Sequence, residues 1–83
     1  MTQITAYIMI NVEIGRTEEV FRALQNLEGI ELVSITAGEF DIIVRISVES
    51  LEELFEKTER IHQIEGLVRT LTLVVEKEAR REG

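Results

Sequence analysis

Cysteine, proline and tryptophan are absent from this chain, histidine occurs once, and aromatic residues make up 5% of it. Each gap removes a class of explanation. Without cysteine there is no disulfide framework, no thiolate metal site and no thiol nucleophile, which fits a reducing compartment. A lone histidine leaves no Ser/His/Asp or Cys/His set to assemble, and the scattered carboxylates around it lack metal-ligand spacing. Neither Gly-x-Gly-x-x-Gly nor Gly-x-x-x-x-Gly-Lys-Ser/Thr occurs, so the nucleotide-binding fingerprints are missing as well. The expectation is a protein that is not an enzyme and uses no metal or cofactor. Positive charge is also scarce, with 9 Lys and Arg against 16 Asp and Glu and a formal net charge of −7. Arg80-Arg81 is its one basic pair. Nonspecific nucleic-acid binding neutralises phosphates with Lys and Arg, so direct contact with nucleic acid is not expected. No run is long and apolar enough to span a bilayer, and no basic stretch leads into a hydrophobic one at the N-terminus. The reading is a cytoplasmic protein without a membrane partner.

What is present is one strand–helix–strand pattern written twice. The first copy runs from Ala6–Val12 through a helical stretch from Arg16 to Gly29 and the strand Ile30–Ala37. The second runs from Phe40–Val48 through a helical stretch from Ser50 to Gly66 and the strand Leu67–Val75. Val12-Glu13 answers Val48-Glu49, and Glu28-Gly29-Ile30 answers Glu65-Gly66-Leu67. At 83 residues this is one small domain, residues 1–75, followed by a charged tail, 76–83, to which no conformation is assigned.

Local signals support each element. Ile4, Ala6, Ile8, Ile10 and Val12 share one face of the first strand, and Thr5, Tyr7, Met9 and Asn11 the other. Thr17 reads as the first helix's N-cap, with Glu18 and Glu19 at the positive end of its dipole. Val20, Leu24 and Leu27 form its apolar stripe, and Gly29 reads as the left-handed residue closing it. Ser50 and Glu53 have capping-box spacing at the start of the second helix. That helix carries Leu51, Leu54, Phe55, Thr58, Ile61 and His62 on one side. His62 lies where an imidazolium suits the helix dipole, which favours a structural role.

Two βαβ units joined by a hairpin give an α+β, ferredoxin-like βαββαβ fold. Right-handed crossovers put both helices on one face of a four-stranded antiparallel sheet, in strand order 4-1-3-2. The uncovered face is expected to carry Tyr7, Met9, Val33, Ile35, Ile43, Val68 and Val74, interspersed with Asp41, Arg45, Thr70 and Thr72. Monomers rarely leave so large an apolar patch in water, so sheet-to-sheet pairing with a second copy is expected.

The joining turn, Thr36-Ala37-Gly38-Glu39-Phe40-Asp41, breaks the repeat. Gly38 supplies positive φ and bare backbone donors, Glu39 and Asp41 add carboxylates, and Phe40 adds an aromatic surface. Asp41 is an acid at the start of a central strand, where a charge is costly without a partner. With Thr70 and Thr72 supplying hydroxyls, these groups match the ammonium and carboxylate of a free amino acid. A plain hairpin, with Asp41 satisfying backbone amides, accounts for the same residues equally well.

The segments Ala6-Tyr7-Ile8-Met9-Ile10-Asn11-Val12, Leu27-Glu28-Gly29-Ile30, Thr36–Val44 and Glu65-Gly66-Leu67-Val68-Arg69-Thr70 resemble the effector-binding (RAM) domain of the Lrp/AsnC, or feast/famine, transcriptional regulators. The resemblance covers about Ile4 to Val75, and the turn is its most specific part. It implies the same βαββαβ fold, dimers of the α/β-sandwich (dimeric α/β-barrel) type, and higher homo-oligomers. It also implies a free amino acid as effector, held near the hairpin and the last strand. The matching positions are Thr36, Gly38, Glu39, Phe40 and Asp41, with Thr70 and Thr72 as hydroxyl partners. Backbone at Gly38 and Glu39 would meet the ligand carboxylate, and Asp41 its ammonium. The family's N-terminal helix-turn-helix has no counterpart here, which suggests a stand-alone RAM-domain protein. Its transcriptional role would then be indirect, through mixed oligomers with a full-length Lrp/AsnC-type regulator. Three other readings compete. An ACT-like regulatory subunit would bind its amino acid beside Gly15. A small dimeric α/β-barrel enzyme would need a His, Tyr or Arg cluster in one cavity. An inert oligomerisation partner would have no working pocket.

Overall fold

A computed structural model describes residues 3–81. The elements follow in the order β1 (Ile4–Val12), α1 (Thr17–Gln25), β2 (Ile30–Ile35), β3 (Ile42–Val48), α2 (Leu51–His62) and β4 (Leu67–Val74). The sheet is antiparallel in the order β2-β3-β1-β4, as the doubled pattern requires. β1 and β3 lie at its centre because their alternation is strict. Ala6, Ile8 and Ile10 of β1 are wholly buried, as are Ile42, Val44 and Ile46 of β3, while the residues between them are half-exposed. Val20 and Leu24 of α1 and Leu54 and Ile61 of α2 complete the core against that face.

The helix ends differ partly from expectation. Ser50 caps α2 as its spacing indicates: its side chain accepts the Glu53 N–H at 3.1 Å, and the Glu53 carboxylate accepts the Glu49 N–H at 2.9 Å. In α1 the capping position belongs to Arg16, with no side-chain cap, and Thr17 is the first helical residue. Arg16 instead pairs with Glu13, Glu19 and Glu65. Gly29 and Gly66 do not close the helices, which end at Asn26 and Gln63. Both helices tighten through i→i−3 bonds, Leu27 N–H to Leu24 O and Ile64 N–H to Ile61 O. The left-handed residue is therefore needed later, where the chain reverses into the next strand (φ +86° at Gly29, +98° at Gly66).

The open face keeps its apolar character but changes several members. Residues opposed across an antiparallel pair share a face. Ile8 stands opposite Val44 and Thr72, and Val44 opposite Val33, so Val33, Thr72 and, two residues along each strand, Ile35, Thr70 and Val74 lie on the helix side. The expectation that these five occupy the open face is corrected. Val68 falls in the register irregularity beside Asn11 and Val12 and has no opposed residue. Tyr7, Met9, Ile43 and Arg45 are placed as expected, joined by Leu32, Ser34, Arg69, Leu71 and Leu73. The physical reason is phase. Both edge strands carry apolar residues at odd and even positions alike, and each contains or meets an irregularity, so a one-residue slip exchanges the faces. Leu32, Leu71 and Leu73 remain 56%, 47% and 51% exposed.

Ile8→Ala should cost about 2–5 kcal/mol, the usual range for emptying a wholly buried aliphatic site. Ser50→Ala should cost about 1 kcal/mol through the lost cap. Urea unfolding at one fixed protein concentration measures both.

Candidate functional site

The hairpin between β2 and β3 is built at its base and open at its tip. At the base, the Thr36 N–H donates to the Asp41 carbonyl at 2.9 Å and the Thr36 hydroxyl to the Phe40 carbonyl at 2.7 Å. At the tip, Ala37, Gly38 and Glu39 are exposed. Gly38 has φ +146°, and nothing lies within 4 Å of the place its Cβ would occupy. Asp41 extends the β1–β3 ladder by one step, its N–H donating to the Ile10 carbonyl at 2.9 Å. Its carboxylate Oδ2 accepts the Val12 N–H at 2.9 Å and the Asn11 side-chain amide at 3.4 Å. That amide also donates to the Glu39 carbonyl at 2.9 Å. Asp41 therefore does satisfy a backbone amide, but one on the neighbouring strand and not in its own turn.

Two residues that sequence reasoning left out of the site belong to this cluster. Asn11 ties the turn to β1. Arg69 stands opposite Asn11 in the β1–β4 register, with its guanidinium carbon 5.5 Å from the Phe40 ring centroid. Arg69 would have been found from the correct phase of β4, which puts 69, 71 and 73 on the open face. The same phase removes Thr70 and Thr72 from the cluster. Both are on the helix side, where the Thr70 hydroxyl is hydrogen-bonded to His62 Nε2 at 2.8 Å and Thr72 stands opposite Ile8. The structure thus brings Thr36, Gly38, Glu39, Phe40 and Asp41 together and leaves the two threonines across the sheet.

A second polar cluster lies at the other end of the open face. Arg45 donates to the Tyr7 hydroxyl at 3.2 Å and pairs with Glu31 and, at 2.8 Å, Glu78. The Tyr7 hydroxyl donates to Glu78 at 2.7 Å. With Leu32 and Arg80 these residues line a cleft of about 730 Å³. The Tyr7 hydroxyl, and then Arg45, hold the Glu78 carboxyl below the ordinary carboxylate value, and Tyr7 and Glu78 together raise the Arg45 guanidinium further. Among the described residues no group of three or more His, Cys, Asp and Glu could hold a metal ion. No helix among them is long and apolar enough to cross a membrane.

A family model described as the Lrp/AsnC ligand binding domain matches residues 5–83. The chain belongs to the Lrp/AsnC family. It is 35% identical over 74 residues to the HTH-type transcriptional regulator FL11 of Pyrococcus furiosus, covering 89% of this chain and 49% of that protein. The chain thus spans about half the length of the curated relatives it matches. The crystal structure of TTHA0845 from Thermus thermophilus superposes with a TM-score of 0.86 at 28% identity, covering 94% of this chain and 99% of that one. E. coli AsnC superposes with a TM-score of 0.87 over 96% of this chain and 55% of its own; at 18% identity that likeness shows the fold alone. Membership of this family displaces the ACT-like alternative. The relatives are transcriptional regulators.

Asp41→Ala should strip Val12 of its acceptor and cost about 1–3 kcal/mol, the usual penalty for orphaning a half-buried donor. Asp41→Asn retains an amide oxygen there and should cost less. Amide exchange at Val12, read by NMR, should accelerate in the alanine variant and much less in the asparagine one. The Glu78 carboxyl should titrate below a free glutamate. Because its folded value is depressed, its contribution is fully present above about pH 4.5 and is lost as pH falls through the folded value. A carbon-detected NMR titration of the side-chain carboxyl checks the sign.

Proposed function

We propose that this chain is an amino-acid-binding and self-associating module that regulates transcription through a partner. The observation that carries this reading is the juxtaposition of opposite charges at the hairpin. Asp41 bonds Asn11, and Arg69 stands opposite Asn11, beside the face of Phe40. A carboxylate bonded to Asn11 and a guanidinium opposite Asn11, beside the Phe40 ring, complement the ammonium, carboxylate and side chain of a free amino acid. In this reading Asp41 takes the ammonium, while Arg69 and the backbone N–H groups of Gly38 and Glu39 take the carboxylate. Thr36 holds the turn through its bond to Phe40. Thr70 and Thr72, on the far side of the sheet, are left out. The exposed tip gives a ligand only one wall, so a neighbouring copy supplies the other.

Self-association follows from the open face. Tyr7, Met9, Leu32, Ile43, Leu71 and Leu73 form an apolar surface that two helices cannot reach, and a two-fold pairing of sheets buries it on both copies. Among the described residues α1 and α2 are separated by two strands, so no helix-turn-helix unit lies within them. Mixed assembly with a full-length relative is the route we favour. An amino acid would shift its balance by binding one assembly state more tightly than another.

Thermal unfolding against each of the twenty amino acids tests the reading. A ligand at one hundred times its dissociation constant adds about 2.7 kcal/mol to native stability. One or a few amino acids should raise the midpoint, and Asp41→Asn and Arg69→Ala should lose that increment. No increment at millimolar concentration would sink the sensor.

A further inference from the structure

The face that self-association would bury is partly occupied by the chain's own tail. The Val75 N–H donates to the Thr5 carbonyl at 2.8 Å, and among the described residues no backbone–backbone bond holds the chain beyond it. From edge strand β4 the tail crosses the open side of the sheet. Glu78 is bonded to Tyr7 of β1 and Arg45 of β3, and Arg80 lines a cleft with Leu32 of β2. The register aligns this path with a single cross-strand row: Tyr7 is opposite both Leu73 and Arg45, and Arg45 is opposite Leu32. The strap therefore lies over the central part of this row, Tyr7 and Arg45, and reaches toward Leu32, while Leu32 and Leu73 at its two edges stay more than half exposed.

Sheets packed face to face stand about 10 Å apart, a gap their own side chains fill. A further layer of peptide does not fit between them. The tail and a second sheet thus exclude one another over this row. The tail's hold is also of the kind that yields, since its anchoring side-chain bonds are water-exposed and such pairs are weak. When Glu78 leaves, Arg45 keeps Glu31 from its own sheet, so assembly does not bury an unpaired guanidinium.

We propose that residues 76–81 form a strap that competes with a second copy of this chain for the Tyr7–Arg45–Leu32 part of this row. Release of Glu78 from Tyr7 and Arg45 is then a condition of sheet-to-sheet assembly. The inference rests on the sheet-paired dimer proposed above and adds what opposes it. Anything that captures the tail favours the assembled state.

Sedimentation equilibrium on the full chain, on Glu78→Ala, on Glu76→Ala and on a chain ending at Val75 tests it. Residues 76–83 hold three acids (Glu76, Glu78, Glu82) and three bases (Lys77, Arg80, Arg81), so removing them leaves the net charge unchanged. Glu76→Ala alters charge as Glu78→Ala does but spares the latch. Expected is a dimer dissociation constant several-fold lower for Glu78→Ala and for the shortened chain than for the full chain and Glu76→Ala. Tyr7 is the single tyrosine and there is no tryptophan, so tyrosine emission reports the latch directly. Hydrogen bonding to a carboxylate quenches a phenol, and dilute Glu78→Ala should be brighter than the dilute full chain. Equal or weaker association of both latch variants, with the full chain still dimerising, overturns the strap alone. Absence of association in every chain overturns the sheet-paired dimer and the strap with it.

Discussion

The pairing of β1 with β3 fixes the rest of the molecule. Ile8 against Val44, with Ala6, Ile10, Ile42 and Ile46 around them, makes a wholly apolar floor on one side of the two central strands. Both helices seat on that floor because only there does burial of Val20, Leu24, Leu54 and Ile61 remove apolar surface from water. Once the floor is set, pleating sends Tyr7, Met9, Ile43 and Arg45 to the other side. The edge strands then take whichever phase the centre dictates. The exposed face is thus a consequence of arithmetic: four strands have two faces, and two crossover helices cover one.

That arithmetic also separates what could be read in the chain from what could not. The doubled pattern, the strand order, the Ser50–Glu53 cap and the inward face of β1 were legible because each is a local signal with one interpretation. The faces of β2 and β4 were not. Val33 and Ile35 compete with Leu32 for the open side, and Val68 and Val74 compete with Leu71 and Leu73. Alternation cannot choose between two apolar sets, and only the register against a central strand does. The error carried into the site. Displacing β4 by one residue exchanges Arg69 for Thr70 and Thr72, a cation beside Phe40 for two hydroxyls on the helix side of the sheet. The hairpin between β2 and β3 is legible because its residues are neighbours in sequence and need no register.

The two ends of the open face have different characters. At the hairpin end, Asn11, Phe40, Asp41 and Arg69 present opposite charges around an aromatic ring, a surface suited to a small zwitterion. At the other end, Tyr7, Arg45, Glu31 and Glu78 satisfy one another within the chain. The proposed binding and assembly surfaces lie on the same sheet, and a shared rigid scaffold is the simplest means by which one would bias the other.

The open tip of the hairpin has a consequence for how such proteins diversify. Positions 37–39 project from a base held by Thr36 and Asp41, and no atom approaches the place where Gly38 would carry a side chain. Substitutions at 37 and 39 therefore meet neither the core nor the helices. Descendants of this chain can vary these positions while inheriting their folding unchanged, so the tip is free to change without a cost in stability.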